Sequence, residues 1–289
     1  MAREDAFSPF DAVLAAAPAG DPWTHAPGDP PRHAPDWGLL CRLLDGPVRE
    51  GHVSESGRFA RAVDAWIAHE LRRMGFGEDA VWPRPRRPRV LPHDVAALLE
   101  RLPRGLAEEV RARLPGLPGV GPVDARVMGR AYEKQVDVCI SRWDTGPELL
   151  ISTKAQTASF AKNLPNRFEE AYGDAGNLRG RHPLAAVGFV FVQRGTIIES
   201  EPAAFARTLD MMRKLRDRGD GNGYTATALV VVDWAAGGPV RVRDGAVPDD
   251  IGAGAFFAAM AARVLAAAPV GRHQAARERM GRGHPAPPL

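Results

Sequence analysis

Two uninterrupted apolar runs constrain this chain more than anything else in it. Leu184 to Val192 is one; the other is Ala228-Leu-Val-Val-Val232, inside the segment Tyr224 to Trp234. Neither alternates polar with apolar residues, so each reads as a strand covered on both faces. Between them, Ala203 to Arg218 has the apolar spacing of an amphipathic helix. Strand, helix, strand with buried strands predicts a parallel pair joined by a right-handed crossover, which puts helices on both faces of the sheet.

The neighbouring segments extend this unit. Gln135 to Ser141 and Glu148 to Lys154 read as two strands around a turn at Trp143 to Pro147. Phe160 to Asn177 reads as a helix with Pro165 in its first turn. Val123 to Lys134 is expected to be a helix entering the first strand, and Ala253 to Ala268 a final helix. The predicted fold class is α/β (α+β): a mixed central sheet flanked by helices, preceded by an N-terminal helical region.

Residues 1–36, rich in Pro, Gly, Asp and His, are expected to be a largely disordered N-terminal segment. Residues 37–115 read as a helical region. Trp37, Leu39, Leu40, Leu43 and Leu44 form one apolar stripe; Phe59, Val63, Trp66, Ile67, Leu71 and Met74 form a second. The run Trp82-Pro-Arg-Pro-Arg-Arg-Pro-Arg-Val90 reads as a solvated basic connector. Residues 116–270 hold the strand-rich domain, and 271–289 a basic tail expected to be disordered. A net charge of +3 decides little about partners, and two cysteines cannot build a disulfide framework. With no signal-peptide pattern and no apolar stretch of membrane length, the expected location is cytoplasmic, with no membrane partner.

The chemistry-bearing residues cluster on the hairpin. Asp137 lies on the first strand, and Ser152 and Lys154 share a face of the second. In a hairpin closed at 143–147, Asp137 and Lys154 meet at the open end. A carboxylate and an ammonium inside apolar strands need a reason. One is a structural ion pair; another is phosphodiester hydrolysis, where carboxylates hold Mg²⁺ and an ammonium orients water.

Asp137 followed by Ser152-Thr-Lys154 resembles the core of the PD-(D/E)XK nucleases, in the restriction-endonuclease-like branch where Ser replaces the second acid. The resemblance covers roughly residues 120–235. It implies that the missing acid comes from the following helix, as Glu169 or Glu170, that Glu133 is an additional acid, and that Gln156 steadies the site. It further implies Mg²⁺ as cofactor, with Mn²⁺ able to substitute, and double-stranded DNA as substrate. The activity expected is that of a type II restriction endonuclease, a homodimer paired with a DNA methyltransferase, with the helical region clamping DNA or dimerising. Lys162, Asn166, Arg167, Arg179 and Arg181 are the candidate nucleic-acid contacts. The competing readings are a relative of the same fold without activity, which Ser152 favours, and a repair or defence nuclease acting on RNA or branched DNA.

Overall fold

The computed structural model describes residues 5–51, 57–117, 119–122 and 124–281. Along the N-terminal part run α1 (Asp11–Ala15), the paired β1 (Trp23–Thr24) and β2 (Arg32–His33), α2 (Trp37–Arg49), α3 (Arg58–Arg73), β3 (Val81–Trp82), α4 (His93–Arg101) and α5 (Arg104–Arg113). Then come β4 (Ala125–Met128), β5 (Glu133–Val136), β6 (Val138–Arg142), β7 (Gly146–Gln156) and α6 (Phe160–Arg179). The chain continues through β8 (Ala186–Arg194), α7 (Thr196–Ser200), α8 (Pro202–Arg216), β9 (Ala226–Asp233), β10 (Arg241–Val242), α9 (Ala253–Ala267) and α10 (Gln274–Gly281).

The main sheet has six strands in the order β10-β9-β8-β7-β6-β3. Its centre, β7-β8-β9, is parallel, and antiparallel β6, β3 and β10 complete it. The architecture is a mixed sheet with helices on both faces. On one face Val138, Ile140, Ile151, Val190 and Val230 pack against α2, α3 and α9 through Leu40, Ile67 and Phe257. On the other, Leu150, Phe189, Phe191 and Leu229 meet α6 and α8 through Leu178, Met212 and Leu215. The N-terminal helices therefore share one core with the strand-rich half. Among the described residues no helix is long and apolar enough to cross a membrane.

Several segments differ from the sequence expectation. Residues 125–136 form an antiparallel strand pair, β4 with β5, instead of a helix. Its turn is fastened from α6: the Asn177 side chain accepts from the amides of Ala131 (2.8 Å) and Tyr132 (3.3 Å) and donates to the Tyr132 carbonyl (3.0 Å). Gly129 passes so close that a Cβ there would lie 2.2 Å from Asn177 Nδ2. A distant side chain thus overrides local helix preference. The expected strand Gln135 to Ser141 breaks at Asp137, so Val136 faces α6 whereas Val138 and Ile140 face α3, not all three together.

The basic connector is not solvated throughout. Arg89 is buried and spends its donors on Asp5, Asp11 and the Arg84 and Pro85 carbonyls; Arg84 is buried against Asp79 and the Pro88 carbonyl. Arg87 pairs with Asp5 and exposed Arg86 with Glu78. Residues 5–36, expected to be largely disordered, supply Asp5 and Asp11 and bury Phe7, Phe10 and Trp23.

The tail also differs. Within 271–289, residues 274–281 form α10, which returns to the body; 282–289 lie outside the described residues. His273 Nε2 lies 2.9 Å from the Glu148 carboxylate, and Arg272 pairs with Asp144. Gly75 makes this docking fit: its φ is +99° and a Cβ would sit 2.8 Å from the Ala275 backbone. Gly75→Ala is therefore expected to cost about 1–3 kcal/mol through left-handed strain alone, read as a lower urea midpoint.

Candidate active site

Thr153, toward the C-terminal end of β7, organises the polar centre. Its N–H donates to Asp137 Oδ2 (2.8 Å), while its hydroxyl donates to Asp64 Oδ1 (2.6 Å). Asp137 occupies the break between β5 and β6, anchored by its own N–H on the Ile151 carbonyl (3.0 Å). Asp64 arrives from α3, a helix buried nearly all round, and is itself buried. Two carboxylates, one from the helical layer and one from the sheet, thus converge on one residue. Burial raises the Asp64 carboxyl well above its ordinary range, and the charge of Asp137 raises it further. Burial also raises Asp137, opposed by the Thr153 amide and by the charges of Arg61, Lys154 and Lys134. Arg61 spans Asp64 (3.4 Å) and Asp124 (3.1 Å).

Strand alternation sends the next side chain to the other face. Lys154 Nζ lies 2.6 Å from Glu170 Oε1 on α6, and the two form an ion pair. No ion pair joins Lys154 directly to Asp137 among the described residues; their interaction is through space. Glu170 also meets Arg167 (3.3 Å) and Lys134 (3.8 Å). Burial would raise its carboxyl, but Lys154, Lys134 and Arg167 hold it below the usual value. Lys134 reaches Asp174 at 2.5 Å, and Asp174 accepts from Tyr132 Oη at 3.0 Å. Burial together with Asp174 pushes the Tyr132 phenol up to about 12.

The acids implied by the family resemblance are distributed unequally. Glu170 faces Lys154; Glu169, about 100° further round the helix, is exposed. Glu133 lies on a strand, not at a helix end. Alternation turns Lys134 and Val136 toward α6 and leaves Glu133 exposed, paired with Arg126 at 3.2 Å. Gln156 is buried: its amide donates to the Ser159 and Phe160 carbonyls and its oxygen accepts from Gln193, tying the end of β7 to the start of α6. Ser152, in the second-acid position, is buried with a hydroxyl that has no partner among the described residues. Of the candidate nucleic-acid contacts, Lys162, Asn166 and Arg181 are exposed, and Arg167 is held by Glu170. Arg179 instead donates to the Pro183 and Ala185 carbonyls and so braces the entry to β8.

Sequence reasoning missed Asp64, Thr153, Lys134 and Asp174. Asp64 carried a signal. It is the one polar residue in the run Ala62–Ala68, all of which is buried. A charged residue inside an apolar run needs a partner or a ligand.

Among the described residues, no group of three or more His, Cys, Asp or Glu side chains is arranged to hold a metal ion. The Asp64–Asp137 pair is all-oxygen, which suits Mg²⁺, an ion commonly held by one or two carboxylates with the rest of its shell left to water and phosphate. Comparison with family models, with curated proteins and with solved structures gives no match.

Proposed function

We propose that the chain is a Mg²⁺-dependent phosphodiesterase acting on nucleic acid, an endonuclease with a restriction-endonuclease-like fold of the PD-(D/E)XK type. The observation that carries this reading is a pair of carboxylates, buried Asp64 and half-buried Asp137, joined through Thr153, with the charge of Lys154 acting on Asp137 through space from the other face of β7. Two neighbouring like charges, one of them fully buried, destabilise each other, and a shared divalent cation would relieve both. In this scheme the second acid, Asp64, comes from the helical layer on the Thr153 face of β7, opposite the face that Ser152 and Lys154 share.

Asp64 and Asp137 would hold the ion. Mg²⁺, when bound, would polarise the phosphate and lower the pKa of the attacking water. Lys154 supplies a fixed ammonium beside the reacting phosphate, orienting water and offsetting developing charge. Glu170 stations that ammonium, and Gln156 keeps α6 in register with β7. Arg167 and Lys134 add positive charge toward the backbone of the substrate.

A second reading, a relative without activity, draws support from Ser152 and from the cations that already occupy Glu170. Calorimetry separates the two. The nuclease reading expects the wild type to bind Mn²⁺ and Asp137→Ala to lose that binding. No binding by the wild type, or binding unchanged in the variant, would favour the inactive relative.

A further inference from the structure

We propose that Arg61 is the built-in counter-ion of the two acids and the competitor of the divalent cation, and that Asp124 is the partner to which it withdraws when the cation binds. This inference rests on the nuclease reading and names how its metal site is regulated.

Asp64 and Asp137 are not left bare in the metal-free protein. Among the described residues, Arg61 is the one cation that forms an ion pair with Asp64, and no cation forms one with Asp137. Of the cations that act on Asp137 through space, Arg61 acts most strongly, ahead of Lys154 and Lys134. One guanidinium thus serves both carboxylates. It lies three residues before Asp64 on α3, so the two side chains leave neighbouring points of the helix. An arginine stays charged inside a protein. Arg61 therefore releases the acids only by moving, never by losing a proton.

The two arms of its fork are held unequally. Nη1 meets Asp64 Oδ2 at 3.4 Å, a long hydrogen bond, while Nη2 meets Asp124 Oδ1 at 3.1 Å. The Arg61 side chain is 24% exposed and that of Asp124, just ahead of β4, is 19% exposed, against 1% for Asp64. The guanidinium therefore links a fully buried acid to one that water reaches. Asp64 Oδ1 already accepts the Thr153 hydroxyl at 2.6 Å, so Oδ2, the oxygen facing Arg61, is the one with no partner in the sheet. A guanidinium has donors and no acceptor. It cannot become a ligand of the cation, and its charge repels one, so the two compete for Asp64. The weaker contact is the one given up, and the stronger one holds Arg61 once it has withdrawn. Such competition reduces the apparent affinity for the cation to the fraction of molecules in which Arg61 stands aside, and Asp124 sets that fraction.

The test is calorimetric titration with Mn²⁺ at one fixed ionic strength, on the wild type, Arg61→Gln, Asp124→Asn and the double variant, with the thermal transition of each in EDTA. Arg61→Gln should bind Mn²⁺ about tenfold more tightly, the scale on which one charge this close moves a carboxylate's affinity for a proton. In EDTA it should melt below the wild type, because the acids have lost their counter-ion. Asp124→Asn should weaken Mn²⁺ binding by roughly twofold to fivefold, the worth of a partly exposed ion pair. In the double variant Asp124→Asn should have no effect, since there is no guanidinium left to withdraw. Equal weakening with and without Arg61 would mean that Asp124 acts only as a distant charge, and overturns this inference alone. So does Arg61→Gln with wild-type or weaker affinity for Mn²⁺. Should Arg61→Gln fail to fold, the half-buried Asp124→Asn decides, and unchanged affinity in it overturns the inference. A wild type that binds no Mn²⁺ overturns the nuclease reading as well.

Discussion

Lys154→Ala is expected to lower Mg²⁺-dependent cleavage by about a hundred- to a thousandfold, the usual cost of removing one group that stabilises charge in a transition state. The change leaves the fold intact, because Glu170 keeps Arg167 and Lys134 as partners and the Lys154 side chain is partly exposed. The measurement is the initial rate on labelled nucleic acid, compared with the thermal transition of the same two preparations. Cleavage at the wild-type rate in the variant would show that the ammonium takes no part in the chemistry.

Asp64→Asn is expected to act in two directions. Burial and the neighbouring Asp137 hold the Asp64 carboxyl well above 3.8. A group whose folded-state value is raised favours the folded state most in acid. That contribution is lost as pH rises above 3.8 and through the raised folded value. The metal-free wild type should therefore lose stability relative to Asp64→Asn as the solution is taken from acid to neutral. At neutral pH the variant should melt on the order of 2–4 °C higher, equivalent to about 1 kcal/mol in a chain of this size. Divalent cation should reverse the order, stabilising the wild type and more so at the higher pH, because two ionised carboxylates are then ready to receive it. Mn²⁺ affinity should fall by about tenfold or more in Asp64→Asn. Scanning calorimetry across a pH series, with EDTA and with Mn²⁺, reads all three effects. A wild-type-minus-variant difference that stays flat with pH would sink this account of Asp64.

What could be read from the sequence follows the range of the forces involved. The central parallel strands were legible because Val, Ile and Leu runs carry their own evidence of burial on both faces. Asp137 and Lys154 could be placed on one hairpin from spacing but not paired with each other: Asp137 sits at the break between β5 and β6 on the Thr153 amide, and Lys154 turns to Glu170 on α6. Glu169 and Glu170 could not be separated until the phase of α6 against the sheet was fixed by Leu164, Ala171 and Leu178 packing inward. Glu133 depended on the type of its element: on a strand, alternation gives the inward place to Lys134. The arginines around the 82–90 loop had the local composition of a linker; Asp79, nearby in sequence, holds Arg84, and only Asp5 and Asp11, far away, reveal the burial of Arg89. Asp64 was hidden in the same way, by a stripe that explained its neighbours as packing.

Thr153 has a further consequence. One residue of the sheet clasps a carboxylate from each half of the chain, so the two halves are not interchangeable parts. A fragment trimmed to the strand-rich segment would lose α3, and with it one wall of the hydrophobic interior and one of the two acids. Swapping the N-terminal helices for those of another protein would do the same. Such a site can be inherited or engineered only whole, and any search for its kin has to look for the helix and the hairpin together.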